Sequence, residues 1–182
     1  MSAGAAKALT SSSHFELFGL PPVFSLDQEM LDKAYRDIQS QVHPDRFAHA
    51  GDAERRASLQ WTTRVNEAYR ALKDPVQRGK HLLELQGVDV AFETNTQMPT
   101  DFLMRQLELR EELEAATGQK DPARLDRLRA GLSVSKKTLE KEIGTAIDGR
   151  KDYAGAAELV RKLMFLDRLD SEIDTAYEAI EQ

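Results

Sequence analysis

His43, Pro44 and Asp45 place an imidazole and a carboxylate on either side of a proline. A proline fixes its own φ and pushes the preceding residue out of the helical region, so the tripeptide marks a corner and not a helix interior. At such a corner His43 and Asp45 project outward, where a donor/acceptor ring and a carboxylate can make charge-assisted contacts with a partner. Taken alone the tripeptide has a plainer reading, a proline-stopped helix whose Asp45 caps the next segment. Catalytic chemistry finds little support elsewhere. His14, His43, His49 and His81 are the only histidines, none is four residues from another, and no His-Glu-x-x-His, phosphate loop or Gly-x-Ser-x-Gly occurs. His81 reads as structural or exposed. Glu111 and Glu112 are adjacent and point to different sides of a helix, so they are not an acid/base couple. With no cysteine, disulfides, thiolate metal sites and a cysteine nucleophile are excluded.

The elements that must hold the corner are helices. Sustained alternation of period two is absent and β-branched residues are sparse. A short segment, Phe15 to Leu20, precedes Pro21-Pro22. Ser25 then reads as an N-cap, with Gln28 completing a capping box, for a helix that runs to about Val42. Leu31, Tyr35, Ile38 and Val42 share one face. With Leu31 at 0°, Arg36 and Lys33 fall near about 140° and about 200°, away from that face. Asp32 and Asp37 belong to the same helix and dilute its positive charge. After the corner, with Arg46 and Phe47 behind it, a helix from about Asp52 to Lys73 carries Ala57, Trp61, Val65, Ala68 and Leu72 on one side. Asp74-Pro75 fits an N-cap followed by proline at the first helical position, opening a short helix that ends near Gly87.

Residues 84–100 read as a linker. Beyond them come Asp101 to about Thr117, stopped by Gly118; Pro122 to about Ile147, stopped by Gly149; and Asp152 to about Ile180. Leu125, Leu128, Leu132, Leu139 and Ile143 form one stripe. Leu159, Leu163, Leu166, Ile173, Tyr177 and Ile180 form another. Three helices with short joints predict an antiparallel bundle. The first of them carries more apolar residues than one stripe explains. With Phe102 at 0°, Gln106, Leu109 and Leu113 fall within about 40° of it, whereas Leu103, Leu107 and Met104 fall at about 100°, about 140° and about 200°, beside Glu108 and Glu111. Phe165 likewise stands off the stripe of the last helix. A second apolar face flanked by glutamates suggests a partner groove; burial at a wider seam is the alternative, and geometry alone leaves the two level.

Composition bounds these readings. The chain has 182 residues, 41% hydrophobic and 31% charged, an ordinary water-soluble balance, with no apolar run of membrane-spanning length. Residues 1–12 are small and polar and read as a disordered tail, without the apolar core of a signal peptide or the arginines of a transit peptide. The net charge of −6 is unevenly placed: residues 1–83 carry 11 Lys/Arg against 10 Asp/Glu, and residues 84–182 carry 14 against 21. Such a balance does not fit a nucleic-acid binder and suggests two modules with different partners.

Residues 13–83, with His43-Pro44-Asp45 between two amphipathic helices and Val65-Asn66-Glu67-Ala68-Tyr69 in the second, resemble a J-domain. Asp101-Phe102-Leu103-Met104-Arg105-Gln106-Leu107-Glu108-Leu109-Arg110-Glu111-Glu112-Leu113 and Val160 to Leu169 are similar to the C-terminal signature of the HscB-type co-chaperones, so the resemblance covers residues 14–182. It implies an all-α fold, a J-domain hairpin at 13–83 followed by a three-helix bundle at 101–182. It implies a protein that is not itself an enzyme but stimulates the ATPase of a DnaK-type, HscA-like chaperone, and that brings it an iron–sulfur scaffold protein of the IscU kind. The residues implied for the chaperone are His43, Pro44, Asp45, Lys33, Arg36 and Arg46. Those implied for the scaffold are Leu103, Met104, Leu107, Glu108, Glu111 and Phe165, and Ala115 stands where some relatives have an acidic residue. A zinc module built from cysteines, present in some relatives, has no ligands here, so the bacterial form is the better match. That form implies a cytoplasmic monomer, without cofactor, metal, membrane or nucleic acid. The alternative is a general folding co-chaperone with a different client, although the Gly/Phe-rich linkers and zinc ribbons common in such proteins are absent.

Overall fold

The computed structural model describes residues 13–42, 51–90 and 98–181. The chain forms two compact units, one ending at Gly87 and the other beginning at Val88. The described residues are helical with short joints and contain no strand. None of their helices is long and apolar enough to cross a membrane. The fold is all-α, as expected.

In the first unit, Ser13 caps α1 (His14–Phe18) by accepting the Phe15 amide, and Gly19 ends it at a φ of 65° that favours glycine. This single turn delivers Phe15, Leu17 and Phe18 to the core. The long helices are α2 (Gln28–Val42) and α3 (Asp52–Lys73). Asp27, and not Ser25, caps α2: its carboxylate accepts the amides of Glu29 and Met30 at 2.9 and 3.3 Å. A carboxylate directly before the first turn satisfies two orphan amides at once, which a hydroxyl two residues earlier cannot do.

Cross-helix bonds show that α2 and α3 run antiparallel. Asp32 accepts from the Tyr69 hydroxyl, Tyr35 donates to Asn66, and the Val42 carbonyl accepts from Ser58, so one partner descends as the other rises. Leu31 of α2 and Trp61, Val65, Ala68 and Leu72 of α3 are buried at the seam. Tyr35 and Tyr69 stack above it with ring centroids 4.0 Å apart. The expected Asp74 cap forms on the Gln77 amide, with Pro75 opening α4 (Pro75–Leu85). Arg78 is buried, donates to the Leu72 carbonyl at 2.6 Å, and lies over the Phe24 ring. A guanidinium thus closes the C-terminal end of α3, a charge-assisted bond where a carbonyl would otherwise be orphaned.

His81 is tied into the fold. Its Nε2 accepts the His14 backbone N–H at 3.0 Å, and the two rings stack 4.2 Å apart. Burial holds both imidazoles below their ordinary value of 6.5; at His14 the neighbouring His81 and Arg64 push the same way, against Glu84 and Glu67. The unfolded chain therefore takes up protons near pH 6.5 that the folded chain refuses, so stability present above that pH is lost as the pH falls through it toward the depressed folded values. The melting temperature should drop between neutrality and about pH 5. It should drop less in His81→Gln, whose amide oxygen can accept the same bond without titrating. Equal slopes for the two proteins would show that this pair is not responsible.

The second unit is a three-helix bundle of α5 (Thr100–Gly118), α6 (Pro122–Gly144) and α7 (Tyr153–Ile180). Arg129 meets Asp174, Lys136 meets Asp167 at 2.6 Å, and Tyr177 meets Asp126, the pairing of antiparallel neighbours. Leu113, Ala116, Leu125, Leu128, Leu132, Leu166, Leu169 and Ile173 form the buried cluster between the helices. That cluster dominates the energetics, because exposed ion pairs contribute less than about 1 kcal/mol each, whereas truncating a buried leucine costs about 2–5 kcal/mol.

The helical segments end within one residue of the expected Gly118 and Gly149, but neither glycine takes the left-handed turn. The residue that turns left-handed after α5 is Lys120, at φ 50°, two positions beyond Gly118. After α6 the chain continues through a π-helical turn, Thr145–Arg150, that contains Gly149 and buries Ala146 and Ile147; it leaves the helix at Lys151, at φ 58°. Asp152 then caps α7 on the Gly155 amide. An added turn with two buried apolar residues outweighs the cost of the wider helix and of one strained lysine.

Candidate functional site

His43, Pro44, Asp45 and Arg46 lie outside the described residues, as does the tail 1–12. The elements on either side of the corner are described, and they set its ends. α2 stops at Val42, whose carbonyl accepts from Ser58 Oγ at 2.7 Å and Thr62 Oγ1 at 3.2 Å. α3 starts at Asp52 after Gly51, with no side-chain cap. Lys33 and Arg36 are exposed on α2. Neither forms an ion pair among the described residues. Asp32 does not dilute their face. It is half-buried toward α3, where it accepts from Tyr69 at 2.8 Å and lies 3.7 Å from Lys73. Glu29 and Asp37 remain exposed on α2 with the two cations, so two carboxylates still balance Lys33 and Arg36 on that helix.

On α5 the two faces separate as the helical spacing requires. Gln106 and Leu113 are buried and Phe102 and Leu109 half-buried, whereas Leu103, Met104 and Leu107 are 44%, 55% and 52% exposed. Three long apolar side chains left in water within five residues form a patch, and one surface leucine would not. Glu108 and Glu111 are exposed beside them, Glu108 held by Arg105 at 2.9 Å. Phe165 differs from the other expected members. It is half-buried, and its ring meets the Phe102 ring edge-on at a centroid distance of 6.0 Å. Phe165 thus braces the start of α5 through Phe102 while keeping part of its surface in solvent. Gln106 sits at a core position and lines a cavity of about 340 Å³ with Leu109, Leu128 and Leu132; its Oε1 has no hydrogen-bond partner among the described residues.

Four side chains with clear positioning roles escape the sequence reading. Arg78 closes α3, and Arg161 of α7 donates to the Val90 carbonyl at 3.0 Å, fixing the incoming chain one turn from Phe165. Ser58 and Thr62 hold the end of α2. The available signal for the last pair is two hydroxyls one turn apart beside the Trp61 stripe, a pattern that surface serines and threonines often produce without meaning.

Residues 13–81 match the family model described as the DnaJ domain, and residues 98–174 match the HSCB C-terminal oligomerisation domain. A co-chaperone protein HscB homolog of Burkholderia vietnamiensis is 51% identical over 169 residues, 93% of this chain and 96% of that relative. The chain belongs to the HscB family of J-domain co-chaperones. Among solved HscB structures, that of Vibrio cholerae HscB aligns with a TM-score of 0.80 at 34% identity, over 92% of this chain and 99% of that one. Human co-chaperone HscB aligns with a TM-score of 0.84 at 26% identity, over 91% of this chain and 82% of that one. The relatives are named co-chaperones, and the J-domain assigns this HscB family member a DnaK-type chaperone as partner. What it contributes is therefore a contact that alters another protein's activity, with no bond-making of its own.

Proposed function

We propose that this chain stimulates the ATPase of an HscA-like chaperone through residues 13–83 and delivers an IscU-like iron–sulfur scaffold to it through residues 101–182, with 84–100 as the connection. The observation that carries the reading is the exposure of Leu103, Met104 and Leu107 on a helix whose other flank supplies the bundle core. An apolar patch rimmed by Glu108 and Glu111 suits a folded protein surface that offers apolar and basic groups. On the other module, His43, Pro44, Asp45 and Arg46 with Lys33 and Arg36 are the chaperone contacts. Hydrolysis belongs to the chaperone, and this chain accelerates it by binding the hydrolysis-competent state more tightly than the resting one. We place it in the cytoplasm and take one chain as the working unit.

The test is ATP hydrolysis by purified DnaK-type chaperones, with the co-chaperone and an IscU-like scaffold added separately and together. The expected result is stimulation by the co-chaperone that rises further when the scaffold is present, with one chaperone preferred. A chain that held denatured model clients and ignored the folded scaffold would be a general folding co-chaperone instead. For the working unit, light scattering should give a mass near the 20.5 kDa of one chain, and a multiple of that mass would replace the monomer.

A further inference from the structure

Val42 is the last residue of α2, and its carbonyl is among those a helix leaves without an internal donor. Two hydroxyls of α3 converge on it, Ser58 Oγ at 2.7 Å and Thr62 Oγ1 at 3.2 Å. Thr62 Oγ1 also lies 2.9 Å from the Ser58 carbonyl. A hydroxyl has one proton, so Thr62 shares it between the two carbonyls, and the shorter bond to Val42 is that of Ser58. Serine inside a helix commonly bonds back to its own preceding turn. Ser58 is only 4% exposed and reaches instead across to the backbone of the other helix.

This contact differs in kind from the other bonds between α2 and α3. Tyr35 with Asn66 and Tyr69 with Asp32 join side chain to side chain, so side-chain torsions can absorb a small slip of one helix on the other. The Val42 bonds hold the main chain itself. His43 follows Val42 directly, and only two soft backbone dihedrals per residue separate the held carbonyl from the corner.

We propose that Ser58 and Thr62 are positioning residues for chaperone stimulation: by gripping the Val42 carbonyl they fix the point and direction from which His43-Pro44-Asp45 leaves α2. This rests on the J-domain reading above. Neither residue has to touch the partner, and Ser58 is too buried to do so. Their effect is on how the tripeptide is presented, and not on how tightly the Lys33–Arg36 face is recognised.

The experiment is a single-turnover ATPase titration of the cognate DnaK-type chaperone with the full chain, with Asp45→Asn, with Ser58→Ala, with Ser58→Ala/Thr62→Val, and with Thr62→Ser, each also melted. The double variant should lower maximal stimulation about fivefold, and Ser58→Ala alone about threefold, the scale of one to two net hydrogen bonds. The concentration for half-maximal stimulation should move less than about twofold, since α2 keeps its exposed cations. Thr62→Ser, which retains the hydroxyl, should match the parent. If the parent does not stimulate at all, the J-domain reading falls and this inference with it. If the parent stimulates, Asp45→Asn does not, and the double variant equals the parent, the inference alone is wrong. It is also wrong if maximum and half-maximal concentration worsen together in step with a lowered melting temperature, since that is what general destabilisation produces. Should the double variant fail to fold, Ser58→Ala decides by the same criteria.

Discussion

Asp45→Asn is expected to remove ATPase stimulation while leaving scaffold affinity unchanged. The substitution keeps the size of the side chain and discards its charge, so it tests the carboxylate and not the shape of the corner. A hydrogen bond to a charged group contributes about 1.5–3 kcal/mol, and its loss from the state that hydrolyses ATP corresponds to a fall of about ten- to a hundredfold, which at the upper end is background in a single-turnover assay. His43→Gln should behave in the same way, because a glutamine amide cannot become a cation and places its polar atoms differently. Scaffold affinity, measured by calorimetry, should not change for either variant, since the expected contacts lie on the other unit. Stimulation that survived Asp45→Asn would end the J-domain reading. A large drop in scaffold binding from a change at the corner would end the separation of the two roles.

The second large effect concerns α5. Met104→Ser with Leu107→Ser should weaken scaffold binding by about a hundredfold, the consequence of removing two apolar anchors worth about 1–2 kcal/mol each at the centre of an interface. The melting temperature should hardly move, because both side chains are more than half exposed in the free chain and exposed substitutions usually cost within about 0.5 kcal/mol. Phe165→Ser should also weaken binding, but with a penalty of its own: the edge-on pair with Phe102 is lost, which lowers fold stability by about 1 kcal/mol. The Phe165 variant therefore separates from the Met104/Leu107 variant by melting temperature even where the two agree by affinity. Unchanged affinity in the Met104/Leu107 variant would remove the scaffold site from α5.

Much of this architecture is legible in the residue order, and the reason differs from place to place. Asp74-Pro75 is an unambiguous start because a carboxylate cap and an N–H-free first residue solve the same local problem, and the structure uses both. The division of α5 into a buried and an open face follows from helical spacing, which any helix must obey. The misplacements are equally physical. Ser25 and Asp27 are both good caps, and composition cannot rank them; the carboxylate succeeds by holding two amides. Gly118 and Gly149 mark the ends of their helical segments to within one residue, yet the left-handed turns fall on Lys120 and Lys151, and the last turn after α6 is π-helical with Ala146 and Ile147 buried, which residue order does not announce. Arg78, Arg161 and the Ser58–Thr62 grip are illegible for another reason. Each joins a side chain to a main-chain carbonyl of another element, and a carbonyl carries no letter in the sequence.

The chain contains one tryptophan, Trp61, and it lies buried in α3. Indole emission therefore reports on the first unit alone, whereas far-ultraviolet dichroism sums the helices of both. A thermal melt followed by the two signals at once needs no label to ask whether the halves come apart together. Superimposed curves would mean a single cooperative transition, and curves that diverge would mean two bodies on one string, each with its own midpoint.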